Sequence, residues 1–297
     1  MISRILVVGA GAMGAQIALT AALAGYEAVL TDIDDGRLIQ ARSELTDLLA
    51  TRVRRERLTE TAAQSALDRL TCTSETDRWA PSVDYVIEAA VEKLDVKRKL
   101  FAHLDGLLPE HAILASNSSG FVPSRLADAT GRPDRVCNLH FFNPALIMRG
   151  VEIVRGPQTS DHTVQTSVQL AERLGKTPVV LDREIPGFLA NRILNAVRDE
   201  AIALLEADIA TVEAIDSICR TALGYPMGPF ELMDLTGVDI GYLTKTARFE
   251  ESGDPRDAPS RSVALLVERG ELGRKTGRGW YDHAADGTAS ARPRPQE

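Results

Sequence analysis

Cysteine and excess positive charge are both scarce in this sequence, and each absence excludes a class of protein. The 297 residues include only three cysteines, Cys72, Cys137 and Cys219, which lie far apart and form no Cys-x-x-Cys pair. We therefore expect no disulfide framework and no metal site, and we predict a cytoplasmic location, where thiols stay reduced. The formal net charge of −8 argues against a nucleic-acid partner, because general nucleic-acid binders are normally basic.

Long hydrophobic runs are also few. Residues 5–26 carry no formal charge, which raises a signal peptide or a short membrane span as an alternative. Gly11, Gln16 and Thr20 make this segment a poor lipid-facing helix, so we interpret it as a buried strand, a tight turn and a packed helix. We expect no membrane partner. At roughly 100–200 residues per domain, the length predicts about two domains.

The order of apolar patterns predicts the architecture. Short β-branched runs alternate with helical patterns over the first half, which is typical of an α/β fold with a Rossmann-type, doubly wound parallel sheet. The predicted strands cover 5–8, 27–31, 70–73, 83–88, 112–115, 136–141 and 151–154, and a run at 178–181 closes this half. From Pro186-Gly187 onward the pattern is helical, so we predict an N-terminal domain over 1–184 and an all-helical C-terminal domain over 185–297. The last residues, 282–297, are expected to be frayed.

A glycine-rich turn follows the first predicted strand. Gly9, Gly11 and Gly14 have the Gly-x-Gly-x-x-Gly spacing, which permits a tight turn, close approach of a pyrophosphate and close packing of the next helix. The second strand ends at Asp32, where a carboxylate hydrogen-bonds ribose hydroxyls and repels a 2′-phosphate. The pattern therefore favours NAD over NADP. The alternative is a structural turn with a surface aspartate.

Two further polar groups follow later strands. Residues 116–119 (Ser-Asn-Ser-Ser) lie where open sheets bind ligands, although they could instead cap the helix predicted over 122–129. His140 ends another strand, and Glu152 lies twelve residues on within an apolar run. A turn at Asn143-Pro144 would return the chain, so that the carboxylate meets the imidazole. Such a pair suits proton transfer near neutral pH, whereas an isolated histidine is more often packed or exposed.

These segments and several others resemble the short-chain 3-hydroxyacyl-CoA dehydrogenases, a family that includes bacterial 3-hydroxybutyryl-CoA dehydrogenases. The similarity runs in order through nearly the whole chain. The matching segments are GAGAMG at 9–14, Val91-Glu92-Lys93 with Lys97, SNSS at 116–119, LHFFNP at 139–144, VEIV at 151–154, PGFLANRIL at 186–194, GYPMGPFELMD at 224–234 and GRKTGRGWY at 273–281.

The resemblance implies NAD-dependent oxidation of a 3-hydroxyacyl thioester, with 3-hydroxybutyryl-CoA as the expected substrate. In this family a histidine deprotonates the 3-hydroxyl while hydride leaves C3 for the nicotinamide. Matched positions make His140 the base and Glu152 its orienting carboxylate, with Ser119 and Asn191 hydrogen-bonded to the reacting oxygen. The implied cofactor contacts are Gly9, Gly11, Ala12, Met13, Gly14, Asp32, Ala89, Glu92, Lys97, Asn117, Asn143 and Lys275. Lys97 and Lys275 could instead be solvated lysines, and Asn191 could be structural.

Family members also carry a basic helix that corresponds to residues 52–57. The resemblance implies that Arg52 and Arg55 contact the phosphates of coenzyme A, although the same run could be a charged exposed helix face or could meet an acidic acyl carrier protein. It also implies that the helical domain closes the substrate cleft and forms a homodimer. Residues 145–150 and Gly120-Phe121 depart from the family pattern, so the acyl group stays open.

Three alternative functions follow. The same chemistry could act on a hydroxyacyl group carried by an acyl carrier protein in a biosynthetic pathway. The related 3-hydroxyacid dehydrogenases use a catalytic lysine where this chain has Asn191-Arg192, which disfavours them. A non-catalytic NAD-binding or structural protein could retain the fold, but the presence of all four polar catalytic positions argues against it.

Overall fold

The computed structural model describes residues 2–284 and 286–295, and the chain divides into two compact units, Met1–Ala190 and Asn191–Glu297. The first unit is built around one eight-stranded sheet with the order β3-β2-β1-β4-β5-β6-β7-β8. Its strands are β1 (Arg4–Val8), β2 (Glu27–Thr31), β3 (Leu70–Thr73), β4 (Tyr85–Glu88), β5 (Ile113–Ser116), β6 (Val136–Phe141), β7 (Gly150–Val154) and β8 (Thr177–Leu181).

The predicted doubly wound sheet is confirmed, with one difference in strand direction. Every neighbouring pair is parallel except β6 and β7, which pair antiparallel. Residues 142–149 join these two strands directly, without the helical crossover that parallel neighbours need. The antiparallel register places His140 directly opposite Glu152.

Both faces of the sheet are buried, as the continuous apolar strands predict. In β1, Ile5 and Val7 contribute to one hydrophobic cluster, whereas Leu6 and Val8 contribute to another on the opposite face. Because side chains alternate along a strand, this division shows that helices cover the sheet on both sides.

The helices of the first unit begin at polar caps in several places. Asp34 accepts hydrogen bonds from the first turn of the helix Asp35–Arg54, and Thr59 and Ser160 cap the helices Glu60–Arg69 and Asp161–Arg173 in the same way. One predicted helix, over 122–129, is reduced to the four residues of α6. These helices are α1 (Ala12–Leu23), α2 (Asp35–Arg54), α3 (Glu60–Arg69), α4 (Thr76–Trp79), α5 (Leu94–Asp105), α6 (Ser124–Ala127) and α7 (Asp161–Arg173).

The second unit is helical apart from one small hairpin. Its elements are α8 (Ala190–Glu206), α9 (Val212–Thr221), α10 (Pro229–Thr236), α11 (Val238–Ser252), α12 (Arg261–Glu268), β9 (Tyr281–His283) and β10 (Ala289–Ala291). Ile202, Phe230, Met233, Leu266 and Trp280 belong to its core.

The prediction that residues 282–297 are frayed is wrong where they are described, because β9 and β10 pair antiparallel there. The fully buried carboxylate of Asp234 accepts hydrogen bonds from the backbone N–H groups of Trp280 and Tyr281, which fixes the start of the hairpin. Residues 285, 296 and 297 lie outside the described residues.

The uncharged segment 5–26 forms strand β1, the glycine turn and the twelve-residue helix α1. Within 2–284 and 286–295, none of the helices combines the length and the apolar character that a membrane crossing requires.

Candidate active site

The glycine turn between β1 and α1 has the geometry of a dinucleotide-binding turn. Gly9 has a φ of +108°, and a Cβ there would lie 2.5 Å from the carbonyl oxygen of Ala89, the residue that follows β4. A Cβ on Gly14 would lie 1.9 Å from the Gly9 oxygen, so α1 packs against the turn only because Gly14 lacks a side chain. A Cβ added to Gly11 would have no neighbouring atom within 4 Å among the described residues.

The first turn of α1 is free of side chains that would compete with a ligand. No side chain caps the helix at Gly11, and its first turn holds no acidic residue. The exposed N–H groups of such a helix end attract phosphate. Asp32 directly follows β2 beside this turn, and its carboxylate accepts hydrogen bonds from the N–H groups of Ala10 (2.8 Å) and Asp34 (3.1 Å). The residues present therefore fit a dinucleotide with an unphosphorylated ribose.

A buried ionic cluster lies at the carboxyl ends of β4 and β5. The Lys97 ammonium is 1% exposed and contacts Glu88 at 2.5 Å and Glu92 at 3.1 Å, so Lys97 is not a solvated lysine. Glu88 is fully buried, and it also accepts hydrogen bonds from the Ser116 hydroxyl (2.6 Å) and the Ala90 N–H (2.7 Å). The cluster joins the loop after β4 to the Ser-Asn-Ser-Ser segment.

The Ser-Asn-Ser-Ser segment does not cap α6, because the residue at the N-cap of that helix is Pro123. The Ser118 hydroxyl instead donates to Glu92 and accepts from the N–H of Phe121 (2.9 Å). Asn117 accepts the N–H of Phe141 at 2.8 Å, which ties the segment to the strand of His140. Ser119 is exposed within this anchored loop.

The predicted contact between His140 and Glu152 is confirmed. His140 Nδ1 lies 2.8 Å from Glu152 Oε2, and the two residues are 6% and 3% exposed. The other oxygen, Oε1, accepts the backbone N–H groups of Leu189 (2.9 Å) and Ala190 (2.8 Å). Both carboxylate oxygens are therefore engaged, as a buried charge requires.

These hydrogen bonds keep Glu152 ionised. Burial alone would raise the pKa of its carboxyl, but the hydrogen bond from His140 and the N–H groups of Ala190 and Leu189 outweigh burial and lower that pKa. An anionic Glu152 can only accept a hydrogen bond, so Nδ1 is the donor of this pair and Nε2 is the ring nitrogen that points away from Glu152. Among the described residues, Nε2 has no hydrogen-bond partner of its own.

Two aromatic rings fix the imidazole. Phe142 and Phe188 pack edge-on against His140, with ring centroids 4.7 and 5.4 Å away. Phe188 adopts a left-handed backbone conformation with a φ of +49°, which costs of order 1–3 kcal/mol in a residue with a side chain. This turn brings the ring to His140 and the next two N–H groups to Glu152.

The remaining predicted site residues are distributed over both units. In the first unit, Asn143 and Arg55 are exposed. Arg52 is half-buried, and its buried Nε has no hydrogen-bond partner among the described residues. In the helical unit, Asn191 is half-buried at the start of α8. Lys275 pairs with Asp239 at 2.6 Å and keeps 47% of its side chain exposed.

Sequence reasoning missed Glu88 and Phe188. Glu88 ends the apolar strand Tyr-Val-Ile-Glu, and a glutamate in a buried strand needs a partner. The same signal marked Glu152, so it could have identified Glu88. No local sequence pattern predicts the left-handed backbone conformation of Phe188.

Comparisons with known proteins agree with this site. The family described as "3-hydroxyacyl-CoA dehydrogenase, NAD binding domain" matches residues 4–185, and its C-terminal domain matches residues 187–283. The chain is 40% identical over 283 residues to a 3-hydroxybutyryl-CoA dehydrogenase of Bradyrhizobium diazoefficiens, covering 95% of this chain and 96% of that protein. A probable 3-hydroxybutyryl-CoA dehydrogenase of Bacillus subtilis is 37% identical over 282 residues, covering 95% and 98%.

A solved structure is similar in fold over most of the chain. The crystal structure of (S)-3-hydroxybutyryl-CoA dehydrogenase from Ralstonia eutropha superimposes with a TM-score of 0.88 at 37% identity, covering 94% of this chain and 98% of that one. The two family matches and these relatives define the class of the protein, an NAD-dependent oxidoreductase. The chain belongs to the 3-hydroxyacyl-CoA dehydrogenase family.

Proposed function

We propose that this protein oxidises a short 3-hydroxyacyl-CoA, with 3-hydroxybutyryl-CoA as the preferred substrate, to the 3-oxoacyl-CoA, and that His140 is the general base. The observation that carries this proposal is the buried contact between His140 and Glu152 at 2.8 Å. The relatives from Bradyrhizobium diazoefficiens and Ralstonia eutropha, both named 3-hydroxybutyryl-CoA dehydrogenase, support the choice of substrate.

The geometry around His140 suits removal of a hydroxyl proton. Nε2 takes the proton of the 3-hydroxyl, the oxygen–hydrogen electron pair forms the new carbonyl bond, and the C3 hydrogen leaves with its own pair. Bound NAD supplies the acceptor for that hydride. Glu152 stabilises the imidazolium that results, because its carboxylate is held in place by Leu189 and Ala190 and cannot turn away.

We assign binding roles to the other positions. Ser119 and Asn191 hydrogen-bond the reacting oxygen. Arg52 and Arg55 meet the phosphates of coenzyme A through charge-assisted hydrogen bonds. The cofactor contacts are the glycine turn with Ala12 and Met13, and Asp32, Ala89, Glu92, Lys97, Asn117, Asn143 and Lys275.

The test is the absorbance at 340 nm with acetoacetyl-CoA and either NADH or NADPH. We expect rapid oxidation of NADH and slow oxidation of NADPH. A second assay uses the acetoacetyl group on an acyl carrier protein in place of coenzyme A. We expect the coenzyme A thioester to react faster than the carrier-protein thioester. Binding of NADH without turnover of any thioester would contradict the proposal and favour a non-catalytic protein.

We further propose a cytoplasmic homodimer in which the helical unit makes the subunit contact. Light scattering at micromolar concentration tests the assembly. A mass near twice 32.2 kDa is expected, and a mass near 32.2 kDa would contradict it.

A further inference from the structure

The loop over residues 142–149 joins the two strands that carry His140 and Glu152. It begins with Phe142, whose ring packs against the imidazole with the centroids 4.7 Å apart. A Cβ added to Gly150 would lie 3.8 Å from the Phe142 ring, so this ring also lies close to the start of β7. The position of the loop therefore sets the position of a ring that packs against His140.

Lys176, the residue before β8, holds this loop by its side chain. It is 9% exposed, and its ammonium donates to the carbonyl oxygens of Ala145 at 2.5 Å and Met148 at 2.8 Å. The N–H of Met148 donates to the Pro144 carbonyl at 2.9 Å, so the loop makes one turn there. Lys176 binds the free carbonyls of this turn in the way that a lysine binds the last carbonyls of a helix.

The charge of Lys176 is explained by these two carbonyls. Burial lowers the pKa of the ammonium, and the nearby Arg52 guanidinium lowers it further. None of the carboxylates within residues 2–284 and 286–295 forms an ion pair with Lys176. A buried charge is costly unless it is hydrogen-bonded, and the carbonyls of Ala145 and Met148 supply the hydrogen bonds. The lysine is thus matched to the loop and not to a counter-ion.

A second side chain holds the loop from α1. Gln16 Oε1 accepts the N–H of Leu146 at 3.2 Å. Gln16 lies two residues after Gly14, on the helix that follows the glycine turn. The loop is therefore tied both to the start of β8 and to the helix that begins at the dinucleotide-binding turn.

We propose that Lys176 is a positioning residue for the reaction, which holds the loop 142–149 so that Phe142 keeps the His140 imidazole in the orientation for proton transfer. Gln16 assists it from α1. The proposal rests on the proposed function, because it takes His140 as the general base. A displacement of about 1 Å in a supporting segment can cost roughly 100-fold in rate, so a residue that acts only through the loop has a large effect.

The first experiment separates positioning from anion binding. The rival role for Lys176 is a contact with the phosphates of coenzyme A, because Arg52 is nearby. Wild type and Lys176→Met are therefore assayed with NADH and either acetoacetyl-CoA or acetoacetyl-pantetheine, which has no phosphate. Methionine keeps an unbranched side chain and removes the donor.

Arg132→Met is the matched control. Arg132 also donates to backbone carbonyls, those of Pro109 at 2.5 Å and Asp105 at 2.9 Å. It lies before the first residue of β6, whereas His140 lies near the last. The control thus removes a similar contact at the opposite end of the same strand.

We expect Lys176→Met to lower kcat by roughly 10- to 100-fold with both thioesters, and to change the KM for acetoacetyl-CoA little. Arg132→Met lowers the urea midpoint of unfolding and leaves kcat unchanged, which separates lost stability from lost positioning. A loss confined to the coenzyme A thioester would overturn the proposal. So would an equal loss of kcat in the two variants, or a higher KM at normal kcat in Lys176→Met.

A spectroscopic measurement separates this proposal from the proposed function, because it needs no turnover. The protein has five histidines, and in spectra of isotope-labelled histidine the His140 signal is the one that is missing in His140→Gln. The adjacent Phe142 ring shifts this signal, so we expect it to move in Lys176→Met and to stay in place in Arg132→Met. Where Lys176→Met does not fold, Gln16→Met replaces it in the same comparison.

The outcomes of the two experiments are distinct. Failure of the proposed function appears as absence of turnover with every thioester, while the His140 signal still moves in the loop variant. That shift supports the positioning role of the loop by itself. A His140 signal at its wild-type position in the folded loop variant would overturn the positioning role, whatever the activity of the enzyme.

Discussion

Two buried glutamates of the first unit have the same degree of burial but different partners. Glu88 is fully buried and contacts Lys97 at 2.5 Å, whereas Glu152 is 3% exposed and contacts His140 at 2.8 Å. Lys97 donates to Glu88 and to the Ala90 carbonyl, and Glu88 also accepts from Ser116, so this pair holds the loops after β4 and β5. Histidine changes charge near neutral pH, so its pair with Glu152 can accept a proton.

The hydrogen-bond partners of Glu88 and Glu152, and not their burial, distinguish the roles of the two carboxylates. Glu88 receives its hydrogen bonds from Lys97, Ser116 and Ala90, so it joins three chain segments. Glu152 has one oxygen fixed by the N–H groups of Leu189 and Ala190, and its other oxygen faces His140. Only the second arrangement leaves a ring nitrogen for substrate.

The largest effect is expected for His140→Gln. Loss of the general base lowers kcat by about 10²- to 10⁴-fold, while the thermal unfolding temperature changes little. Steady-state kinetics with 3-hydroxybutyryl-CoA and NAD measure the loss. His103→Gln is the control, because His103 is an exposed histidine of α5 that pairs with Asp77. Near-normal turnover by folded His140→Gln would remove the assignment.

A large effect on stability is expected for Lys97→Met. The substitution leaves Glu88 buried without its counter-charge and lowers the free energy of unfolding by about 3–5 kcal/mol. Urea denaturation measures the change, with the exposed Lys99→Met on the same helix as the control. Adding Glu88→Gln to Lys97→Met is expected to restore part of the stability, and additive losses in this double-mutant cycle would show that the two residues are not coupled.

A smaller effect is expected for Asp32→Asn. Asparagine keeps an acceptor for the Ala10 N–H and removes the charge that repels a 2′-phosphate. The ratio of kcat/KM for NADPH over NADH is expected to rise by about tenfold, equivalent to about 1.4 kcal/mol. Asp35→Asn, an exposed change in the first turn of α2, controls for loss of charge alone. An unchanged ratio in Asp32→Asn would contradict the assignment of Asp32 to the ribose.

The smallest effect is a pH dependence of stability at Glu152. The pKa of this carboxyl is lowered below its ordinary value of 4.5, because the hydrogen bonds from His140, Ala190 and Leu189 outweigh the effect of burial. A lowered folded-state pKa contributes stability that is present above pH 4.5 and is lost as the pH falls through the folded-state value. The difference in unfolding free energy between wild type and Glu152→Gln should therefore shrink with acidification. A difference that grows below pH 4.5 would contradict this.

Local patterns predicted most of the first unit but not its long-range partners. The sheet followed from apolar runs, and the contact of His140 with Glu152 followed from a glutamate within such a run. The burial of Lys97 was not predicted, because its main partner Glu88 is on another element. The C-terminal hairpin was missed for a similar reason. It depends on Asp234, which lies 46 residues before Trp280 and has no signal in the local pattern.

The most direct test of the central claim compares Glu152→Gln with Glu88→Gln in one pair of measurements, kcat of the folded enzyme and the free energy of unfolding at neutral pH. The account predicts that Glu152→Gln loses mainly turnover, because the imidazolium is no longer stabilised. It predicts that Glu88→Gln loses mainly stability, because Lys97 is left buried without its main counter-charge. Loss of turnover in Glu88→Gln with normal turnover in Glu152→Gln would contradict it.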